Sequence, residues 1–327
     1  MIKQDKLTKI NLYDKLNAAF VSLITPEMPG LKKIRKQNSY SKKPTIVRPF
    51  EMPLEFISID GVKIRMAKSI INSQNKETIV FLSAFPHSVI AYSPIWEALK
   101  KEYNLYAYDL PGFGASETKS EYMSFEFQGN FLNSFLIHFD IKNSHLVAPD
   151  VGMASALSYV INHKNKVKSM MIGDGPAALP TSEPSIMKKM VHSSFWRTMF
   201  IIAGSGALIE SAKNLGNVRY VPNKYELSDY KNSHKGKVAN SMKWFKGYPE
   251  GCKDIDPHLA TLNIPVHVIW GEHDAFLTAD NAERLHARLP KSALTIFKNC
   301  GHFFYQDKST EFTELVRSWV NGGYDLA

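Results

Sequence analysis

Short apolar runs and stretches of helical periodicity alternate along most of this chain. Thr78–Leu82, Leu105–Tyr108, His145–Ala148, Lys168–Ile172, Ile264–Trp270 and Ala293–Phe297 each have the length and composition of a buried strand. Between them, stretches such as Ser93–Glu102 and Met123–Phe139 read as helices. This alternation predicts βαβ units and a mostly parallel sheet. Ahead of it, Leu54–Ile59 and Val62–Met66 flank Asp60-Gly61, a strong hairpin turn signal. The alternation stops after Gly173-Asp174-Gly175-Pro176. No strand stands out from there to about residue 254, where Met, Phe, Trp, Tyr and Lys are abundant. The pattern predicts an α/β core over residues 51–175 and 255–327, with an insertion over 176–254. At the start, Leu7, Ile10, Tyr13, Leu16, Phe20 and Leu23 recur at helical spacing and predict an amphipathic helix over about residues 5–23. Pro26 and Pro29-Gly30 should end it, and a linker rich in Lys and Pro follows to about Pro53. Residues 1–50 thus read as a basic N-terminal helix and linker.

A length of 327 residues suits one large domain with an insertion, or two domains. Cys252 and Cys300 give no disulfide framework and agree with a reducing compartment. No run approaches a membrane span, and Met1–Lys6 lacks the apolar core of a signal peptide. The expectation is a soluble, cytoplasmic protein. The formal charge of +9 resembles a nucleic-acid signal until it is located. Residues 1–50 carry eleven Lys/Arg against Asp5, Asp14 and Glu27, so the rest of the chain is near neutral. A neutral body with a basic arm argues against a nucleic-acid enzyme. The N-terminal helix has two readings: an anchor on a membrane surface, or a helix packed on its own domain or on a second subunit. Its modest apolar face favours packing over a membrane.

The chemistry centres on His145–Ala156, which reads as a strand, a tight turn and a helix start, with Asp150 at the tip. Such an elbow ordinarily presents serine within G-x-S-x-G. A carboxylate there attacks saturated carbon rather than a carbonyl and becomes an ester that water must hydrolyse. Downstream, Ile264–Asp274 is a strand ending in a carboxylate-bearing turn. Ala293–Phe297 is a strand followed by Asn299-Cys300-Gly301-His302-Phe303-Phe304. His302 is the candidate base, because imidazole titrates near neutrality. Asp274 is the candidate acid that orients it, with Glu272 and Asp174 as rivals.

Nucleophile, acid and histidine stand in the chain order of the α/β-hydrolases. With Phe81–His87 and Asp109–Ser116, these landmarks resemble that family over about residues 51–327, and within it the aspartate-nucleophile branch of epoxide hydrolases and haloalkane dehalogenases. The resemblance implies an α/β-hydrolase fold, a mostly parallel sheet with a helical cap inserted over 176–254. It implies a cofactor-independent enzyme, without metal, that joins water to a small apolar substrate. Phe85 and Val151 would supply the backbone N–H pair of the oxyanion hole, although Ser83-Ala84-Phe85-Pro86 departs from the usual His-Gly-x-Pro. In Asp109–Ser116, Gly112 and Gly114 would shape a turn.

Leaving-group donors separate the reactions. Dehalogenases set N–H donors around halide, typically a Trp after the nucleophile, whereas Val151 and Phe85 have no side-chain donor. Epoxide hydrolases use cap tyrosines, yet Phe245 in Met242-Lys243-Trp244-Phe245-Lys246 stands where one is expected. His192, Tyr225 and Tyr248 are the candidate replacements, alongside Tyr220 and Tyr230, and His87 is a further polar group placed to face the pocket. An epoxide hydrolase-like reaction therefore leads, haloalkane or haloacid dehalogenation is second, and a catalytically silent ligand-binding relic is the alternative of another class.

Overall fold

The computed structural model describes residues 7–26, 28–37, 43–46, 51–71, 76–163, 167–176 and 185–324. Two helices come first, α1 (Leu12–Leu23) and α2 (Met28–Gln37), followed by the hairpin β1 (Leu54–Ile59) and β2 (Val62–Ser69). Asp60 and Gly61 both take positive φ, the conformation that a two-residue hairpin loop needs. The core then alternates: β3 (Thr78–Leu82), α3 (Ser93–Leu99), β4 (Asn104–Tyr108), α4 (Phe125–His138), β5 (Ser144–Pro149), α5 (Val151–Asn162) and β6 (Val167–Gly173). Among the described residues, four helices intervene before the next strand: α6 (Ile186–His192), α7 (Ser194–Gly216), α8 (Lys224–Ser233) and α9 (Val238–Ile255). The chain returns with β7 (Val266–Gly271), α10 (Asp280–His286), β8 (Ser292–Phe297), α11 (Phe304–Asp307) and α12 (Ser309–Val320).

All eight strands join one sheet in the order β1-β2-β4-β3-β5-β6-β7-β8. The first three pair antiparallel and the rest run parallel. Strands β5 and β7 are buried along their whole length, as a sheet covered on both faces requires. One face packs on α4 and α5 through Leu132, Phe135, Ala154 and Leu157. The other packs on α3 and α12 through Ile95, Trp96, Val316 and Trp319. This is an α/β-hydrolase fold, with the helical insertion between β6 and β7.

The N-terminal region differs from its sequence reading in two ways. Pro29-Gly30 does not end helical structure. It lies in the first turn of α2, where a missing N–H sacrifices no intrahelical bond, and Met28 and Leu31 bury that helix. The second difference concerns which side of α1 is buried. Asp14, Ala18 and Val21 pack inward, while Leu12, Tyr13, Leu16, Phe20 and Leu23 are exposed. Asp14 decides this rotation. It closes a capping box with Asn11 and pairs with Lys231 of α8. It also sits against Gly206 of α7, where an added Cβ would meet its carboxylate at 2.1 Å.

A buried ion cluster ties the insertion to the core. Arg65 on β2 donates from Nε to Asp109 Oδ2 (2.8 Å) and from both terminal nitrogens to Asp229 of α8 (2.6 and 3.0 Å). Asp109 also accepts from the N–H groups of Val89 and Ala115. Gly114, at φ 48°, clears space for that carboxylate, since a Cβ there would lie 2.2 Å from Asp109 Cγ. The Asp109–Ser116 stretch therefore serves as architecture.

Candidate active site

Strand β5 ends at Pro149 and α5 begins at Val151, so Asp150 must turn the chain alone. Its backbone has φ 51° and ψ −127°, a costly conformation for a residue with a side chain. The turn is held by Asp150 N–H donating to Gly173 O (2.8 Å) and by Gly175, where a Cβ would strike Asp150 O at 2.3 Å. The side chain consequently projects above the sheet. Its Oδ2 accepts from Phe85 N–H, and Val151 N–H also donates to this carboxylate. Burial pushes the Asp150 carboxyl up to about 6, while His302 and the two N–H donors oppose the shift.

Opposite stands His302 in the loop after β8. Its Nδ1 bonds to Asp274 Oδ2 at 2.8 Å, and its Nε2 faces Asp150 Oδ1 at 3.8 Å. Asp274 is held in turn: its Oδ1 accepts from Phe276 N–H (2.8 Å) and Leu277 N–H (3.0 Å). Trp270 Nε1 donates to Leu277 O and pins the same loop. Burial works to lower the His302 pKa, but Asp274 and then Asp150 outweigh it and hold the ring above 6.5. His302 Nδ1 takes Asp274 as its partner and neither of the sequence rivals for the acid. Glu272 is half-buried and bonds to Lys298 and Asn299 N–H. Asp174 is fully buried beside Asp274, and burial followed by that neighbouring charge drives its carboxyl well above the usual range. Donor atoms of Asp174, Asp274 and His302 lie within 4.8 Å of one another.

Above this group is a cavity of about 520 Å³, part of it open to solvent. Phe85, Pro86, Phe276 and Leu277 of the core form its floor with Asp150 and His302. Its walls come from α6 (Ile186, Met187, Met190), α7 (Phe200, Leu208, Ser211, Ala212, Leu215), Phe245 of α9 and Val21 of α1. Phe245 meets Phe85 edge to face at 5.6 Å. Apolar walls around a few polar groups are the usual make-up of a small-molecule site.

Several sequence candidates fall outside this cavity. His192 is exposed at the end of α6, because its helical position points away from the buried Met187–Met190 side. Tyr225 is half-buried in the first turn of α8, beside Lys224. Tyr248 is buried one turn beyond Phe245, against Phe125, and does not line the cavity. His87 lies behind the floor, bonded to Tyr305 Oη at 2.9 Å and stacked on Tyr230. Sequence reading missed most of the wall residues, Val21 and Ser211 among them. Val21 belongs to a helix some 130 residues before the elbow. Ser211 sits inside α7, is 4% exposed, and its Oγ has no hydrogen-bond partner among the described residues. A lone serine on a long helix gives no sequence signal.

The model of the alpha/beta hydrolase fold family matches residues 77–309, and the chain belongs to that family. A 2-hydroxy-6-oxononadienedioate/2-hydroxy-6-oxononatrienedioate hydrolase of Escherichia coli is 24% identical over 263 residues, covering 76% of this chain and 88% of its own. Among solved structures, a mutant of DBJA superposes with a TM-score of 0.71 at 20% identity, over 83% of this chain and 99% of its own. The epoxide hydrolase CorEH superposes with a TM-score of 0.68 at 16% identity, also over 83% of this chain and 99% of its own.

Proposed function

We propose that the protein hydrolyses a small hydrophobic epoxide through an ester on Asp150, with the helical insertion acting as its cap. One observation carries this reading. A carboxylate occupies the elbow, with one oxygen held by the N–H of Phe85 and the other turned towards His302 at the base of an apolar cavity. In the first step an Asp150 oxygen attacks a ring carbon, and the carbon–oxygen bond of the epoxide breaks. The alkoxide accepts a hydrogen bond from Ser211 and takes its proton from water in the cavity. In the second step His302 Nε2 removes a proton from water as that water attacks the ester carbonyl. The N–H groups of Phe85 and Val151 stabilise the oxyanion, and Asp274 stabilises the imidazolium. Collapse returns the His302 proton to the departing alcohol. The proton on the regenerated Asp150 carboxyl then returns to solvent, so epoxide plus water gives diol.

Haloalkane dehalogenation is the second reading, because the same nucleophile displaces halide. Against it, His302 is the only cavity-lining side chain with an N–H among the described residues, and that ring is committed to the base role. Ser211 offers O–H to an oxygen leaving group. Incubation with panels of terminal and aryl epoxides and of haloalkanes, assayed for diol and for free halide, tests the choice. Diol without halide is expected. Halide release alone favours the second reading, and tight binding without turnover favours a silent relic.

A further inference from the structure

The exposed side of α1 is the largest feature that the proposed chemistry leaves unused. Leu12, Tyr13, Leu16, Phe20 and Leu23 fall within one stripe of that helix, and Leu12, Leu16 and Leu23 are 72%, 62% and 80% exposed. The N-terminal half of α7 adds Phe195, Ile201 and Ile202, also exposed. Lys189 stitches the two helices together: its ammonium donates to Ile24 O, at the end of α1, and lies 5.1 Å over the ring of Trp196. That ring meets Phe195 edge to face at 5.4 Å. An apolar patch of this size on two adjoining helices calls for a partner.

We propose that this face docks on the surface of an anionic lipid bilayer, with α1 lying in the interface. Charge selects the partner. Lys9, Lys15, Lys32, Lys33 and Lys36 are exposed in α1, α2 and the segment before α1, and no carboxylate is exposed among the described residues of 7–37. An exposed apolar stripe on an N-terminal region whose described exposed charges are all lysines matches lipid tails beneath anionic headgroups. A second copy on the same patch would set lysines against lysines. No described helix is long and apolar enough to cross a membrane, so the helix lies along the surface. The rotation set by Asp14 keeps this face outward. The sequence alone favoured packing over a membrane for this helix; it does pack, but through its opposite side. Docking also reaches the cavity, because Val21 and Phe200 line its inner wall while Phe20 and Ile201 face out from the same two helices.

The test is flotation of the full-length protein with phosphatidylcholine vesicles, with and without about 30% phosphatidylglycerol. Binding to the anionic vesicles is expected, weakened about fivefold or more by raising salt to several hundred millimolar. Leu16→Ser/Leu23→Ser/Phe195→Ser should abolish it while the protein stays folded with a little-changed thermal midpoint, since all three side chains are mostly exposed. Lys32→Gln/Lys33→Gln/Lys36→Gln should weaken it independently. Failure to float with anionic vesicles at low salt overturns the proposal. So does a wild-type dimer in solution that the serine variant dissociates, which assigns the face to a second copy.

Discussion

His302 and Asp150 face one another across 3.8 Å, too far for a hydrogen bond and close enough for one water to touch both Nε2 and the ester that Asp150 would form. Asp274 occupies the other ring nitrogen, so Nε2 is the nitrogen left to accept a proton. The two groups should report separately in transient kinetics. Alkylation needs ionised Asp150, whose carboxyl burial raises to about 6, so its rate should fall roughly tenfold per pH unit below that value. Ester hydrolysis needs neutral His302, which Asp274 holds above 6.5, so its midpoint should lie higher. Single-turnover measurements from pH 4 to 9 give both midpoints, and an alkylation midpoint near an ordinary carboxylate would contradict this.

The same shift has a stability consequence. Folded Asp150 binds its proton more tightly than the unfolded chain does, so its ionisation costs stability as pH rises from about 4 to 6, and the full cost persists above that range. Asp150→Asn should therefore stabilise the protein by about 3 kcal/mol at pH 7, with the gain vanishing near pH 4. Urea unfolding at the two pH values checks both magnitude and sign.

Phe245 and Ser211 both line the cavity, and only Ser211 carries a side-chain hydrogen-bond donor. Ser211→Ala should lower kcat/KM for epoxides by about tenfold, the worth of one hydrogen bond, and leave an apolar inhibitor's affinity unchanged. Phe245→Tyr puts an O–H on the ring that lines the cavity opposite Phe85 and should raise epoxide opening by about tenfold to a hundredfold. Equal loss of inhibitor binding and turnover in Ser211→Ala would mean that the serine only shapes the wall.

Arg65 carries two carboxylates, the fully buried Asp109 of the core and the half-buried Asp229 of the insertion. Arg65→Met leaves Asp109 fully buried and unpaired, and should cost about 3–5 kcal/mol. Asp229→Asn retains a hydrogen-bonding side chain and should cost less. Denaturant midpoints at constant m-value would measure both.

The sheet was legible because buried strands separated by amphipathic helices leave a periodic signal, and every strand predicted from residue 54 onward is present within a few residues. The elbow was legible because its turn needs small neighbours around one functional residue. Chain order offered Asp274, Glu272 and Asp174 as acids for His302, and the choice of Asp274 needed the geometry. Contacts between segments distant in sequence were not legible. Asp14 meeting Gly206 and Lys231, Val21 entering the cavity, and Arg65 reaching Asp229 leave no local pattern. The donor candidates His192 and Tyr225 failed for a related reason: residue type says what a side chain can donate, and helix rotation decides where it points.

The most direct test of the account is the intact mass of the His302→Gln protein after incubation with an epoxide that the wild type turns over. Alkylation needs only Asp150, while hydrolysis needs the lost base. The account predicts a stable adduct of the full epoxide mass, mapped by peptide analysis to Asp150 and absent from Asp150→Asn. Normal turnover of that epoxide by freshly prepared Asp150→Asn, with no deamidation back to aspartate, would contradict it.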